Sequence, residues 1–258
     1  MIQTSNDYWT LNKFILKINN LLKEDDPLNN LNTDENALCL IEHICISIVK
    51  ARRNESKIDE TTETGMEILN YKGLTGKKTR HLYNNLLSMK DWNYLEIGTW
   101  AGSSSISAIY KNKVNALFID DWSQFGGNSD YFTENLEKYM GDSECALIES
   151  DCWKVDLNTI ENKFDVYLYD GAHTESDHYN SLVYYLPVLK DQFIFIVDDW
   201  QWTDVRDGTM RAIRDLKLKI QFRHEEFLSG DDLENMPDHK GKDSWWNGVA
   251  VFLLSKTN

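Results

Sequence analysis

Asn93 to Gly102 reads NYLEIGTWAG and runs into Ser103-Ser104-Ser105. The apolar residues Tyr94, Leu95 and Ile97 end at Gly98, a short loop follows, and Gly102 comes next. Beyond it Ser103, Ile106, Ala108, Ile109 and Tyr110 fall on a helical period. This order of strand, glycine turn and helix opens a nucleotide-binding α/β unit. Glycine admits close approach of a ligand to the backbone, and the helix start presents unpaired N–H groups. The spacing Gly98-Thr99-Trp100-Ala101-Gly102 is not GxGxxG, so the turn alone specifies a nucleotide-type cofactor and nothing finer.

Downstream, four more short apolar runs alternate with helical stretches. They are Ala116–Ile119, Ala146–Ile148, Val166–Tyr169 and Phe193–Val197. Such runs joined by helices such as 131–140 and 176–189 predict parallel strands with helices on both faces. Two last runs, 220–227 and 249–254, are separated by a polar connection with Gly230, Pro237 and Gly241 as turn signals. They predict an antiparallel C-terminal pair closing one edge of a Rossmann-like, seven-stranded, mostly parallel sheet. Residues 1–90 read as a helical N-terminal extension ahead of a cofactor-binding domain at 91–258. Its first helix carries Tyr8, Leu11, Phe14, Ile15, Ile18, Leu21 and Leu22, and ends at Asp25-Asp26-Pro27. A second helix carries Leu38, Ile41, Ile44, Cys45, Ile48 and Val49. Residues 52–64 read as a loop with a short helix after it, Gly73–Gly76 as a break, and Lys77–Met89 as an amphipathic helix.

The composition narrows the partners. Lys and Arg number 27 against 42 Asp and Glu, a net charge of −15. That balance disfavours a phosphate-backbone binder and so nucleic acid, while it admits metal cations and neutral or cationic small molecules. The cysteines Cys39, Cys45, Cys145 and Cys152 form no CxxC pair, and read as buried reduced thiols. No apolar run reaches the ~18 residues of a membrane span, and the N-terminus has no signal-peptide pattern. The expectation is a soluble, cytoplasmic protein with no membrane partner.

Acids end the strands. Asp120, with Asp121 as the less favoured neighbour, closes the second run where a carboxylate can accept hydrogen bonds from ribose hydroxyls; the alternative is an acid that caps the turn. Asp170 ends the fourth run, and Asp198 with Asp199 end the fifth. In a doubly wound sheet these ends converge, and three carboxylates there repel unless a cation lies between them. Hard oxygen ligands suit Mg²⁺, with Mn²⁺ or Ca²⁺ as alternatives. His173 follows Asp170 by three residues, and its ordinary pKa of about 6.5 fits a general base. Its alternative is to orient a carboxylate or cap a helix. His178 reads as structural.

Taken together, LEIGTWAGSS, FIDDW, YLYDGAH and IFIVDDW resemble the class I S-adenosylmethionine-dependent methyltransferases. DGAH with DD is similar to the metal-dependent bacterial small-molecule and sugar O-methyltransferases, the macrocin O-methyltransferase-like enzymes. The resemblance covers residues 74–254. It implies that Glu96, Gly98 and Gly102, with Thr99, Trp100 and Ser103 between and beside them, surround the methionine part of S-adenosylmethionine. It implies Asp120 and Asp121 at the ribose, Asp151 and Cys152 at the adenine, and Asp170, Asp198 and Asp199 on a divalent metal, with Asp170 also facing the cofactor. His173 stands where catechol O-methyltransferase-like enzymes carry a lysine, and it is the catalytic residue implied together with Asp170. The activity implied is methyl transfer to a hydroxyl of a small acceptor such as a sugar or nucleotide-linked sugar. Trp100, Trp122, Trp200 and Trp202 become candidates for the cofactor and acceptor walls. Two other readings stand beside this one: a nicotinamide-dependent oxidoreductase, and a non-catalytic cofactor-fold protein. The apolar stripes of the N-terminal helices can cover the sheet, form a homo-oligomer interface or act as a lid, and the sequence does not choose among them.

Overall fold

The computed structural model describes residues 35–127, 129–228 and 242–257. The helix expected at Tyr8–Leu22, and most of the polar connection after Phe227, lie outside the described residues. Cys39–Asn258 forms one compact unit.

Helix α1 spans Glu35–Arg52, α2 Glu63–Leu69 and α3 Lys77–Leu86. The sheet then begins with β1 (Trp92–Ile97), followed by α4 (Ser103–Ile109), β2 (Val114–Asp120), α5 (Ser129–Tyr139) and β3 (Glu144–Glu149). After two short 3₁₀ turns come β4 (Phe164–Tyr169), α6 (Glu175–Tyr185), β5 (Leu189–Asp198), α7 (Thr203–Asp215), β6 (Lys219–Glu226) and β7 (Val249–Ser255). The sheet order is β3-β2-β1-β4-β5-β7-β6, with β7 antiparallel to both β5 and β6. This is the expected Rossmann-like sheet with its antiparallel C-terminal pair. The parallel strands are longer than their apolar runs because flanking residues continue the ladder, as Trp92 and Asn93 do against Val114 and Asn115. Helix α7 was not anticipated: its buried residues Val205, Gly208, Thr209, Ala212 and Ile213 include few large apolar side chains.

Strand parity divides the core. On one face Leu95, Tyr167, Phe195 and Phe252 lie side by side across β1, β4, β5 and β7. Tyr167 and Phe195 stack with centroids 5.1 Å apart, and Leu182, Tyr185, Val205 and Ile213 of α6 and α7 cover the row. On the opposite face, Tyr94 and Glu96 lie beneath α4. Helix α3 is tied to α4 through Asn84, whose amide donates to the carbonyls of Ser107 and Tyr110. Both faces of β5 are covered, which explains its continuous apolar sequence.

The segment between α2 and α3 is fixed by a buried guanidinium. Arg80 is 3% exposed and donates to the carbonyls of Thr75, Ile68 and Tyr71, each at 2.9 Å. No described carboxylate pairs with it, and burial lowers its pKa to about 10. Three oriented carbonyls offset part of the desolvation of that charge. Arg80 thereby fixes Thr75 at the start of α4. Thr75 shares a 2.8 Å hydrogen bond with Ser103.

Among the described residues, no helix is long and apolar enough to cross a membrane. Cys39 is exposed, contrary to the expected burial of all four thiols, while Cys45 is buried and Cys145 and Cys152 half-buried.

Candidate functional site

The strand order reverses between β1 and β4, and a cavity of about 630 Å³ opens at the carboxyl ends of the strands there. Gly98 lies at the crossing with φ +85°. A Cβ on it would stand 2.1 Å from the Asp170 carbonyl oxygen, so no other residue lets the two strand ends meet. Of the residues singled out in the sequence, Gly98, Thr99, Trp100, Ser103, Asp120, Asp121, Asp151, Cys152, Asp170, His173 and Asp199 line the cavity.

Three expected residues lie elsewhere, and each placement has a physical reason. Glu96 is fully buried beneath α4. Its carboxyl accepts hydrogen bonds from Tyr94 (2.8 Å), Ser104 (2.5 Å) and Ser105 (2.8 Å). Burial pushes its pKa up to about 7, against the lowering effect of those hydroxyls. It anchors the first turn of α4 and leaves the cavity wall to that turn. Gly102 is the helix cap, at φ +92° and against the Phe132 ring. Asp198 is the last residue of β5 and lies 2% exposed behind the wall.

Asp120 serves the loop. Its Oδ2 accepts the backbone N–H groups of Thr99 (2.7 Å) and Trp100 (2.8 Å), and its Oδ1 that of Trp122 (2.7 Å). The Thr99 hydroxyl makes a further, long contact of 3.5 Å to Oδ2, so the loop occupies most of this carboxylate's accepting capacity. Asp121 is exposed, and among the described residues its carboxylate accepts from the Ser123 N–H, at 3.0 Å. Asp151 caps the turn at Cys152 through the Trp153 N–H (3.0 Å) and pairs with Lys154. Burial drives the Cys152 thiol up to about 12, so it is neutral.

The tryptophans divide. Trp100 and Trp202 line the cavity, together with Trp153 and Trp246, which the sequence did not single out. Trp122 packs on Phe132 and donates its indole N–H to the Trp100 carbonyl. Trp200 is fully buried, bonded to Glu225 and packed on Phe252. Those two are core residues.

At the ends of β4 and β5 the acids gather. One ligand atom each from Asp170, His173 and Asp199 lies within 4.8 Å of the others. His173 Nε2 stands 3.0 Å from Asp199 Oδ2, and Asn247 Nδ2 donates to Asp199 Oδ1 at 2.6 Å. Burial and the charges of Asp198, Asp199 and Glu96 hold the Asp170 pKa well above its ordinary value. Burial and Asp199 push Asp198 up to about 8. Burial pulls the His173 pKa down, but the Asp199 bond and the surrounding carboxylates outweigh it, and the net is upward. Tyr83 of α3 also reaches this cluster: after burial, the charges of Asp198 and Asp170 do most to raise its pKa. Among the described residues, Asp198 Oδ1, the Tyr83 hydroxyl and His173 Nδ1 are buried with no hydrogen bond of good geometry, although Tyr83 lies close enough to Asp198 to favour its charged form. Crowded carboxylates raised in pKa and an O,O,N donor set are what a divalent cation would relieve. The residues fit the implied metal.

Comparison with known proteins follows the same stretch. No curated protein matches the sequence. Among solved structures the chain is similar to precorrin 8w decarboxylase from Methanobacterium thermoautotrophicum, at 18% identity and TM-score 0.49, over 72% of this chain and 93% of that one. It is similar to the O-methyltransferase from Bacillus cereus in complex with SAH, at 15% identity and TM-score 0.47, over 88% and 94%. It is also similar to SMU.776 complexed with SAH, at 11% identity and TM-score 0.50, over 71% and 50%. At such identities these likenesses concern the fold. The sequence itself is matched by a family model described as a methyltransferase domain, over residues 95–200. Residues 95–200, which include Gly98, Asp120, Asp170, His173 and Asp199, carry the sequence pattern of a methyltransferase domain.

Proposed function

We propose that this chain transfers a methyl group from S-adenosylmethionine to a hydroxyl of a small molecule, with a divalent cation bound at Asp170 and Asp199 and backed by Asp198. The observation that carries the reading is the convergence of Asp170, His173 and Asp199 within 4.8 Å at the strand ends beside the cavity. The methyltransferase-domain match over 95–200 supports the donor.

When bound, the cation supplies Lewis-acid stabilisation of the acceptor oxygen, and the donor supplies an electrophilic methyl. The protein's own groups do the rest. His173, with its own proton on the buried Nδ1, would take the proton that the hydroxyl releases at Nε2, where Asp199 Oδ2 at 3.0 Å stabilises the imidazolium; in that role it stands beside the cation and does not ligate it. Asp120 holds the Thr99–Trp100 turn rigid against the donor. Trp202, 47% exposed and 5.1 Å from the His173 ring, offers an apolar face to the acceptor.

Asp120, Asp121, Asp151, Asp170 and Asp199 line the cavity, and no Lys or Arg does so among the described residues. Such a wall suits the sulfonium donor and a divalent cation, and the acceptor is a hydroxylated small molecule such as a sugar or nucleotide-linked sugar.

Calorimetry with S-adenosylmethionine and with NAD, followed by turnover with and without a chelator, tests the reading. Binding of the first alone, and turnover that a chelator stops and Mg²⁺ restores, is expected. NAD binding in its place, or turnover indifferent to chelation, overturns it.

A further inference from the structure

We propose that Asn247 is a positioning residue for the Asp199 carboxylate, and that residues 242–248 form the strut that holds it there. The inference rests on the cation reading above.

Asp199 is a poor candidate to orient itself. Its backbone sits at φ +53°, a left-handed conformation uncommon for a residue with a side chain, in the turn just past β5. Asn247 closes on that turn from two directions. Its backbone carbonyl accepts the Gln201 N–H at 2.7 Å, and its side-chain amide donates to Asp199 Oδ1 at 2.6 Å. His173 holds Oδ2. The carboxylate is thus gripped at both oxygens, from two separate segments of chain, with lone pairs left over on each.

The strut is itself fixed. The Trp200 N–H donates to the Gly248 carbonyl at 3.2 Å, and Trp245 is 5% exposed. Gly248 lies at φ +85°, and a Cβ there would stand 2.8 Å from the Glu226 carbonyl oxygen, so β6 presses directly on the strut. On its other side, the Lys77 and Lys78 N–H groups donate to the Lys242 and Ser244 carbonyls at 2.7 and 2.9 Å. These are the first two residues of α3. The helical segment ahead of β1 therefore braces a cation ligand at the end of β5 through a loop some 170 residues further along the chain. A ligand must be held to within about 0.5 Å of its productive geometry, and loss of such an outer hydrogen bond typically costs 10- to 100-fold in metal affinity.

The test is Mn²⁺ binding to the full chain with S-adenosylhomocysteine present, read by loss of the free-ion electron paramagnetic resonance signal. Asn247→Leu keeps the side chain's size and removes the donor. It should bind Mn²⁺ about 10-fold more weakly than the native chain, with S-adenosylhomocysteine affinity unchanged within about twofold. Asn247→Ser, which keeps the backbone bond to Gln201 but cannot reach Oδ1, should do the same and guards against a folding defect in the first variant. Native-like Mn²⁺ affinity in either folded variant overturns the proposal, as does a parallel loss of S-adenosylhomocysteine, which marks a structural role. If the native chain binds no Mn²⁺, the cation reading fails and this proposal fails with it.

Discussion

Asp120→Asn separates an acid that holds the protein from one that holds the ligand. The native carboxylate accepts three backbone N–H groups, two on Oδ2 and one on Oδ1. Asparagine keeps one oxygen. If that oxygen takes the Thr99 and Trp100 N–H groups, the new amide NH₂ faces the Trp122 N–H, and at least one bond is lost. A hydrogen bond to a charged group contributes about 1.5–3 kcal/mol, and the half-exposed setting points to the lower end, about 1.5 kcal/mol. For a unit of this size, each kcal/mol moves Tm by about 2–4 °C, so the expected fall is about 3–6 °C. Because Gly98–Trp100 lines the cavity, the loosened turn should also weaken S-adenosylhomocysteine binding, about tenfold if the same 1.5 kcal/mol is felt there. Asp121→Ala is the comparison: among the described residues its exposed side chain accepts from the Ser123 N–H alone, and Tm should stay within about 2 °C. Differential scanning calorimetry and isothermal titration measure the two quantities. A Tm within about 1 °C of native for Asp120→Asn, with binding nonetheless lost, refutes the account of Asp120 as the anchor of the turn.

Three further substitutions probe the surroundings. Arg80→Ala strands the Thr75, Ile68 and Tyr71 carbonyls and should destabilise by about 3–5 kcal/mol in chemical denaturation, with a loss of donor affinity as Leu74 and Thr75 loosen. Glu96→Gln tests linkage: the folded pKa of about 7 lies above the ordinary 4.5, so the unfolded chain loses its proton first and stability falls as pH rises between those values. The native chain should therefore lose about 3 kcal/mol relative to the variant between pH 4.5 and 7.5, and parallel stability curves would contradict this. Among the described residues, neither buried ring nitrogen of His178 has a hydrogen-bond partner, and burial lowers its pKa to about 3. His178→Phe should leave Tm unchanged or raise it, because an unsatisfied polar ring is replaced by an apolar one against Tyr169.

Much of the sheet was legible because the first five runs each stop at an acid or a glycine, and of those stops Gly98, Asp120, Asp170 and Asp199 line the cavity. Direction was harder to read. Glu96 sits one residue before Ile97 and therefore points to the opposite face, with Tyr94, under α4; the period-2 alternation of β1 carried that signal. Trp122 and Trp200 look no different in sequence from Trp100 and Trp202, yet Trp200 is core because the turn after β5 points it at Phe252 and Glu225. Tyr83, Arg80 and Asn247 could not be found locally. Tyr83 lies in an amphipathic helix where a tyrosine is ordinary. Asn247 becomes informative only once β7 is placed beside β5, which brings it to Asp199 across 48 residues of chain.

The central claim is that Asp170 and Asp199, backed by Asp198 and with His173 beside them, hold a divalent cation next to the donor. Crystals grown with S-adenosylhomocysteine and Mn²⁺, with data collected at the manganese absorption edge, test it most directly. The account predicts an anomalous peak about 2.2 Å from carboxylate oxygens of Asp170 and Asp199, inside the cavity and beside the sulfur. A cavity that holds the cofactor but shows no peak at those carboxylates contradicts it.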